Sequence, residues 1–206
     1  MWRIARESLM QIAGYASLAS PAEPPAYPMT GARPTFDRVF QEYQHAVFNY
    51  VLRMVGDRDR AEDITQDTFI KAYRKLDTLT DDASIRPWLY RIATNTAIDE
   101  IRRRRFSFTT DTYPDRADDA LGPEGHALAS RLDDAVQRAL MRLAPNHRQC
   151  LVLSDIEDMS GQQVAEVMGM SYGAVRTLLC RARGEMRRHL LSEGVTRLTA
   201  ARIRTS

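Results

Sequence analysis

The chain has 206 residues and a mass of 23.5 kDa, enough for one medium domain or two small ones. With 29 Lys and Arg against 27 Asp and Glu the net charge is only +2, which names no partner by itself. No apolar run reaches bilayer-spanning length, which excludes an integral membrane protein, and two cysteines (Cys150, Cys180) exclude a disulfide framework or a four-cysteine zinc site and suit a reducing cytoplasm.

Residues 1–34 read as a disordered tail. Pro21, Pro24, Pro25, Pro28 and Pro34 forbid a continuous helix through its second half. Arg3 and Arg6 before a weakly apolar stretch imitate a signal peptide, but Glu7, Ser8, Gln11 and Ser17 interrupt it, so secretion is not expected. Met29 offers an alternative start.

From Phe36 to Val55 the apolar residues fall at 36, 39, 40, 43, 47, 50, 51 and 54, one face of a helix that Gly56 would end. Asp59-Arg-Ala-Glu62 reads as an N-cap with its reciprocal acid, opening a helix to about Leu76 with Ala61, Ile64, Thr68, Ala72 and Leu76 inward. On its other side Asp63, Gln66, Asp67 and Ile70 follow at i, i+3, i+4 and i+7, either a solvated face or a docking face for a partner helix. A polar stretch, Asp77–Ser84, reads as a loop. Pro87 then suits the first turn of a third helix carrying Trp88, Leu89, Ile92, Ala93 and Ala97 inward and ending in Arg102, Arg103, Arg104 and Arg105.

Residues 107–130 read as an acidic linker, with Pro114 and Gly122-Pro123 and almost no periodicity. Helical spacing returns at Arg131 through Leu132, Ala135, Val136, Ala139, Leu140 and Leu143, and Pro145 starts another helix. No segment alternates with period two, so the expected fold is all-α. Charge is distributed unevenly. Residues 85–105 hold six bases against two acids, 106–130 one base against five acids, and 172–206 eight bases against two acids. Two basic blocks around an acidic one suggest two anionic contacts with a spacer between them, or plainly solvated faces.

Ser160 to about Leu190 reads as a helix-turn-helix. Ser160-Gly-Gln-Gln163 is a capping box, Val164, Ala165, Val167 and Met168 face inward, Gly169 supplies the turn, and Ser171 caps a second helix burying Val175, Leu178, Leu179, Ala182 and Met186. The outer face then shows Arg176, Thr177, Cys180, Arg181, Arg183 and Arg187. A buried stripe behind an arginine-lined face fits a major groove, where Arg pairs with guanine and further Arg residues meet phosphates. A helical hairpin with a solvated basic face is the plain alternative; the tight turn and the acid-poor outer face favour DNA. His45, His126, His147 and His189 are scattered, and no phosphate loop or nucleophile elbow occurs, so no enzyme activity, cofactor or metal is expected.

Ala61-Glu-Asp-Ile-Thr-Gln-Asp-Thr-Phe-Ile-Lys-Ala-Tyr73, Pro87-Trp-Leu-Tyr-Arg-Ile-Ala-Thr-Asn-Thr-Ala-Ile-Asp99 and the helix-turn-helix, in that order, closely resemble the extracytoplasmic-function (ECF) branch of the sigma-70 family of bacterial RNA polymerase sigma factors. The resemblance implies two helical domains, sigma region 2 (35–106) and sigma region 4 (131–192), joined by the flexible linker 107–130 and flanked by the tail 1–34 and a basic C-terminal tail, 193–206. Region 2 would dock on the β′ clamp helices of core RNA polymerase through Asp63, Gln66, Asp67 and Ile70. It would capture a flipped base of the −10 element at Lys75, Leu79 and Asn95, with Arg102, Arg103, Arg104 and Arg105 on phosphates. Region 4 would contact the β flap and read the −35 element through Ser171, Tyr172, Arg176, Thr177, Cys180, Arg181 and Arg183. The linker would run towards the RNA exit path. Promoter DNA, core polymerase and an anti-sigma factor are the implied partners, in the cytoplasm at the nucleoid. Ser160-Gly-Gln-Gln stands where the family commonly has Ser-Tyr-x-Glu. A conventional helix-turn-helix regulator is the competing reading, though no sensor domain pattern precedes the motif.

Overall fold

The computed structural model describes residues 35–79, 85–107 and 124–195, with side chains over 35–79, 85–103 and 133–195. The N-terminal tail, most of the Asp77–Ser84 loop, the linker up to residue 123, the side chains of Arg104 and Arg105, and the tail from 196 lie outside the described residues.

Among the described residues the fold is wholly helical. Region 2 contains α1 (Phe36–Val55), α2 (Arg58–Lys75), a 3-10 turn (Leu76–Thr78) and α3 (Ile85–Ser107). Region 4 contains α4 (Glu124–Met141), α5 (Pro145–Leu151), one π turn (Val152–Ile156), α6 (Gly161–Met168) and α7 (Tyr172–Ser192). Two sequence expectations shift. The cap of α2 is Asp57, whose side chain accepts from the Arg60 backbone N–H, not Asp59. Gly56 turns the chain left-handed immediately after α1, so the first acceptor in line is Asp57. The linker is also shorter than expected, because α4 begins at Glu124 rather than Arg131. The Gly122-Pro123 pair read as a break also stands immediately before the first turn of a helix, a place that suits proline.

The region 2 core follows the apolar stripes. Val39, Val47, Tyr50, Val51 and Met54 of α1 meet Ala61, Ile64, Phe69 and Ala72 of α2 and Leu89, Tyr90, Ala93 and Ala97 of α3. The Tyr50 and Tyr90 rings meet edge to face at 5.1 Å, and the Tyr50 hydroxyl bonds Thr94 Oγ1 at 2.6 Å, so the buried phenol keeps a partner. In region 4, Val136, Ala139, Leu140 and Leu143 pack with Cys150–Leu153, Val164, Val167, Val175, Ala182 and Met186. Burial pushes the Cys150 thiol up to about 11, with the nearby Asp155 charge adding to it, so it behaves as a small core hydrophobe.

The modules pack against each other at two places. At one, Arg53 near the end of α1 pairs with Asp133 of α4 at 2.6 Å, and Gln137 returns a bond to the Leu52 carbonyl at 3.2 Å. Beside them the buried Arg148 guanidinium donates to the carbonyls of Leu140, Met141 and Leu143 at 2.8, 2.9 and 3.2 Å and to that of Met54. One side chain thus satisfies the open carbonyl ends of α1 and α4 together. At the other place Arg86 donates to the Glu157 carbonyl, the Tyr90 hydroxyl donates to the Glu157 carboxyl, and Arg91 bonds the Glu166 carbonyl and faces its carboxylate at 3.8 Å.

Candidate nucleic-acid and polymerase interfaces

The helix-turn-helix is built as its sequence specifies. Ser160 Oγ accepts from Gln163 N at 3.3 Å while Gln163 Oε1 accepts from Ser160 N at 2.9 Å, closing the capping box. Gly169 sits at φ 63°, a left-handed conformation that costs a side-chain-bearing residue, and Met170 N reaches back to the Ala165 carbonyl at 3.0 Å. Ser171 Oγ then accepts from Ala174 N at 3.3 Å, so Ser171 is the cap of α7. Gly161 fills a second structural need. A Cβ there would stand 2.5 Å from the Tyr172 ring, so the small residue lets Tyr172 lie over the start of α6. The departure from the family pattern at this position is therefore paired with the aromatic eleven residues on.

On α7, Val175, Ala182 and Met186 are buried and Leu178 and Leu179 partly so. Arg176, Thr177, Cys180, Arg181 and Arg187 are exposed, and Tyr172 is 52% exposed. The Thr177 hydroxyl donates to the Gly173 carbonyl at 3.1 Å, which leaves its oxygen able to accept from a base. Arg183 requires a correction. Its Nε and Nη2 make a two-pronged pair with Asp155 at 3.0 and 2.6 Å, and Asp155 is almost fully buried. The guanidinium ties α7 to the π turn and belongs to the scaffold; helical spacing alone placed it on the outer face.

In region 2, Asp63, Gln66, Asp67 and Ile70 are all exposed on α2, while Ile64, Thr68 and Phe69 between them are buried. The sequence reading missed Phe69 as a core residue. Its ring meets Phe40 at 5.0 Å, and Phe36 meets Tyr73 at 5.0 Å, forming an aromatic seam beside that exposed face. An open cleft of about 410 Å³ adjoins it, lined by Phe40, His45, Phe48, Arg58, Glu62 and Gln66 among others.

The residues expected to form a base pocket divide. Lys75 and Asn95 are exposed, but Leu79 is a core residue at 8% exposure and lacks the open face that stacking on a base requires. The family resemblance placed it in the pocket, at a position where an aromatic can occur; the structure uses it to close the region 2 core. Arg102 and Arg103 are exposed near the end of α3, with Arg103 3.2 Å from Glu100.

The residues joining the modules, Arg53, Arg86, Tyr90, Arg91, Arg148, Glu157 and Glu166, were not singled out individually from sequence. Arg86 and Arg91 were visible only as members of the basic block. Burial raises the Glu157 carboxyl above the usual carboxylate range, partly opposed by the Tyr90 hydroxyl and the Arg86 charge. Desolvation also holds the Tyr90 phenol well above its ordinary value, so it remains a hydrogen-bond donor at neutral pH.

Two helical modules with no strand among the described residues, one with a displayed arginine-lined helix and one with an acidic helix face and a basic third helix, define a DNA-binding protein of the transcription apparatus. The family model for sigma-70 region 2 matches residues 39–107, and that for sigma-70 region 4 matches residues 133–186. The chain is 34% identical to the RNA polymerase sigma-H factor of Pseudomonas aeruginosa over 163 residues, 74% of this chain and 84% of that one. It is 29% identical to the ECF RNA polymerase sigma factor SigW of Bacillus subtilis, over 78% of this chain and 91% of that one. Its fold is similar to that of the sigma factor RpoE of Bartonella quintana, solved with the anti-sigma factor NepR, with a TM-score of 0.63, 23% identity and coverage of 75% of this chain and 96% of that one. The chain belongs to the ECF branch of the sigma-70 family and is a sigma factor.

Proposed function

We propose that this sigma factor binds core RNA polymerase through the exposed α2 face, Asp63, Gln66, Asp67 and Ile70, and directs it to promoters whose −10 element is opened by region 2 and whose −35 element is read by α7. The display of α7 carries the reading: a buried stripe at Val175, Ala182 and Met186 presents Arg176, Thr177, Cys180 and Arg181 together on the opposite side. Arg176 and Arg181 are the guanine-pairing candidates, Thr177 accepts from a base-edge amine, and Cys180 supplies van der Waals contact. Tyr172 and Ser171 flank the duplex at the helix start. Lys75 and Asn95 hold the flipped −10 base, whose unstacking costs a few kcal/mol, roughly, before the pocket contacts it. Arg102 and Arg103, with Arg104 and Arg105, hold phosphates.

The chain supplies specificity and the polymerase supplies the chemistry, in the cytoplasm. The β′ clamp helices and the β flap are its polymerase contacts, and an anti-sigma protein is the expected inhibitor of both. A conventional regulator would act only with a sigma factor already present. Purified chain added to core polymerase and genomic DNA should yield transcripts with aligned start sites. Asp63→Lys/Asp67→Lys should abolish them while leaving thermal stability nearly unchanged, because both side chains are exposed. Random starts with the native chain would overturn the assignment.

A further inference from the structure

The open cleft beside α2 is a groove between two helices. Phe40 meets Phe69 at one end and Arg58 lies over Phe48 at the other, so α1 and α2 run antiparallel along it. Phe40, Gln44 and Phe48 line it from α1 at i, i+4 and i+8, and Arg58, Glu62 and Phe69 from α2 at i, i+4 and i+11. The lining is aromatic at both ends, and Phe40 is 38% exposed. The α2 side is acidic, with Asp59, Glu62, Asp63 and Asp67 all exposed. Glu62 stands 3.2 Å from Arg58, but both side chains are more than half exposed, so the pair is weak and exchanges readily. An amphipathic helix with a basic flank fits such a groove.

The N-terminal sequence supplies a segment of matching length and charge. Trp2, Ala5, Leu9, Ile12 and Ala16 follow at i, i+3, i+7, i+10 and i+14, the spacing of one helical stripe. Arg3 and Arg6 share one flank of that stripe, and Glu7 and Gln11 fall opposite it. A helix from Trp2 to Ile12 is about 15 Å long, and the groove from Arg58 to Phe69 is about 16 Å. Residues 17–35 tie the stripe to Phe36, whose ring stacks on Phe40 at the groove's end. At 19 residues that tether spans about 24 Å as a random coil and about 59 Å drawn out in polyproline form. The far end of the groove, at Phe48, is about 18 Å from Phe36 along α1. Tether and distance match, so the stripe is held at the groove at an effective concentration on the order of millimolar.

We propose that the groove between α1 and α2 is the seat of this chain's own residues 2–16, laid in as an amphipathic helix with Trp2, Leu9 and Ile12 towards the phenylalanines and Arg3 and Arg6 towards the acids of α2. The inference needs the groove and the tail sequence, not the sigma-factor reading. It bears on that reading at one residue. Gln66 lines the groove and also belongs to the exposed α2 face, so the seated tail and a polymerase helix on α2 share an edge.

The test uses the full chain carrying 5-fluorotryptophan. Trp2 and Trp88 are its two tryptophans, so fluorine NMR shows two resonances, assigned through Trp2→Phe, and Trp88 within α3 reports that region 2 stays folded. A soluble paramagnetic chelate should broaden the Trp2 resonance much less in the native chain than in Leu9→Glu/Ile12→Glu. Glu62→Lys should move the docked-to-free ratio about fivefold towards free, as loss of an exposed ion pair can. Arg3→Glu/Arg6→Glu should do the same, and combining it with Glu62→Lys should restore protection, with Trp88 unmoved throughout. Equal broadening of Trp2 in the native and Leu9→Glu/Ile12→Glu chains would overturn the proposal, as would protection that the charge exchange fails to restore. Protection that grows with chain concentration would overturn it in favour of a second copy, and protection seen only with core polymerase added would overturn it in favour of that partner. Failure to bind polymerase would sink the sigma-factor reading and leave the Trp2 result standing.

Discussion

Arg183 and Arg176 are seven residues apart on the same helix and yet belong to different systems. Arg176 is exposed, whereas Arg183 is held by two prongs against a carboxylate that is 3% exposed. Arg183→Met would leave Asp155 buried without its counter-ion and should destabilise region 4 by about 3–5 kcal/mol, read from urea unfolding. Arg176→Ala should leave the unfolding midpoint in place and instead weaken binding to a −35 duplex by about 1–3 kcal/mol. Glu157 makes a different kind of claim. Its carboxyl is raised from 4.5 by burial, so the folded chain holds that proton to higher pH than the unfolded chain does. The stabilising contribution is complete below 4.5 and declines as pH rises through the raised folded value. Glu157→Gln cannot ionise, so the difference in unfolding midpoint between variant and native chain should grow in the variant's favour as pH rises from 4.5 to 7.5. A constant difference would show that Glu157 titrates as in the unfolded chain.

At the level of helices, the sequence was informative wherever burial is periodic. The α1 stripe matched the core at Val39, Val47, Tyr50, Val51 and Met54, and the capping box at Ser160 formed with both of its bonds. Failures came where two local signals competed. Asp57 and Asp59 are both good caps, and the turn at Gly56 decided between them. Gly122-Pro123 signals both a break and a start, and the acidic residues around it concealed the first turns of α4. Leu79 stands alone among polar residues, so nothing periodic marked it as core. For the interfaces, exposure agrees with spacing along α2, and along α7 except at Arg183. A salt titration reads the α7 face. Arg187 is exposed beyond the residues proposed to read bases, and Arg187→Ala should reduce the slope of log affinity against log salt by about 1, with unchanged sequence preference.

For the molecule as a whole, what spacing could not reveal is the contact between modules. Arg148 and Met54 are 94 residues apart, and Glu157 and Tyr90 are 67 apart. No local period records such pairs. They depend on how two independently patterned bundles present their helix ends, and on Glu157 standing at the end of the π turn. The carbonyl ends of α1 and α4 share one guanidinium, and that staple requires no peptide link between the halves. A protease site engineered between Ser107 and Glu124 gives the consequence a practical form. After cutting, the two fragments should still co-elute as a pair on a sizing column at low salt, and should separate once Arg148→Met removes the staple.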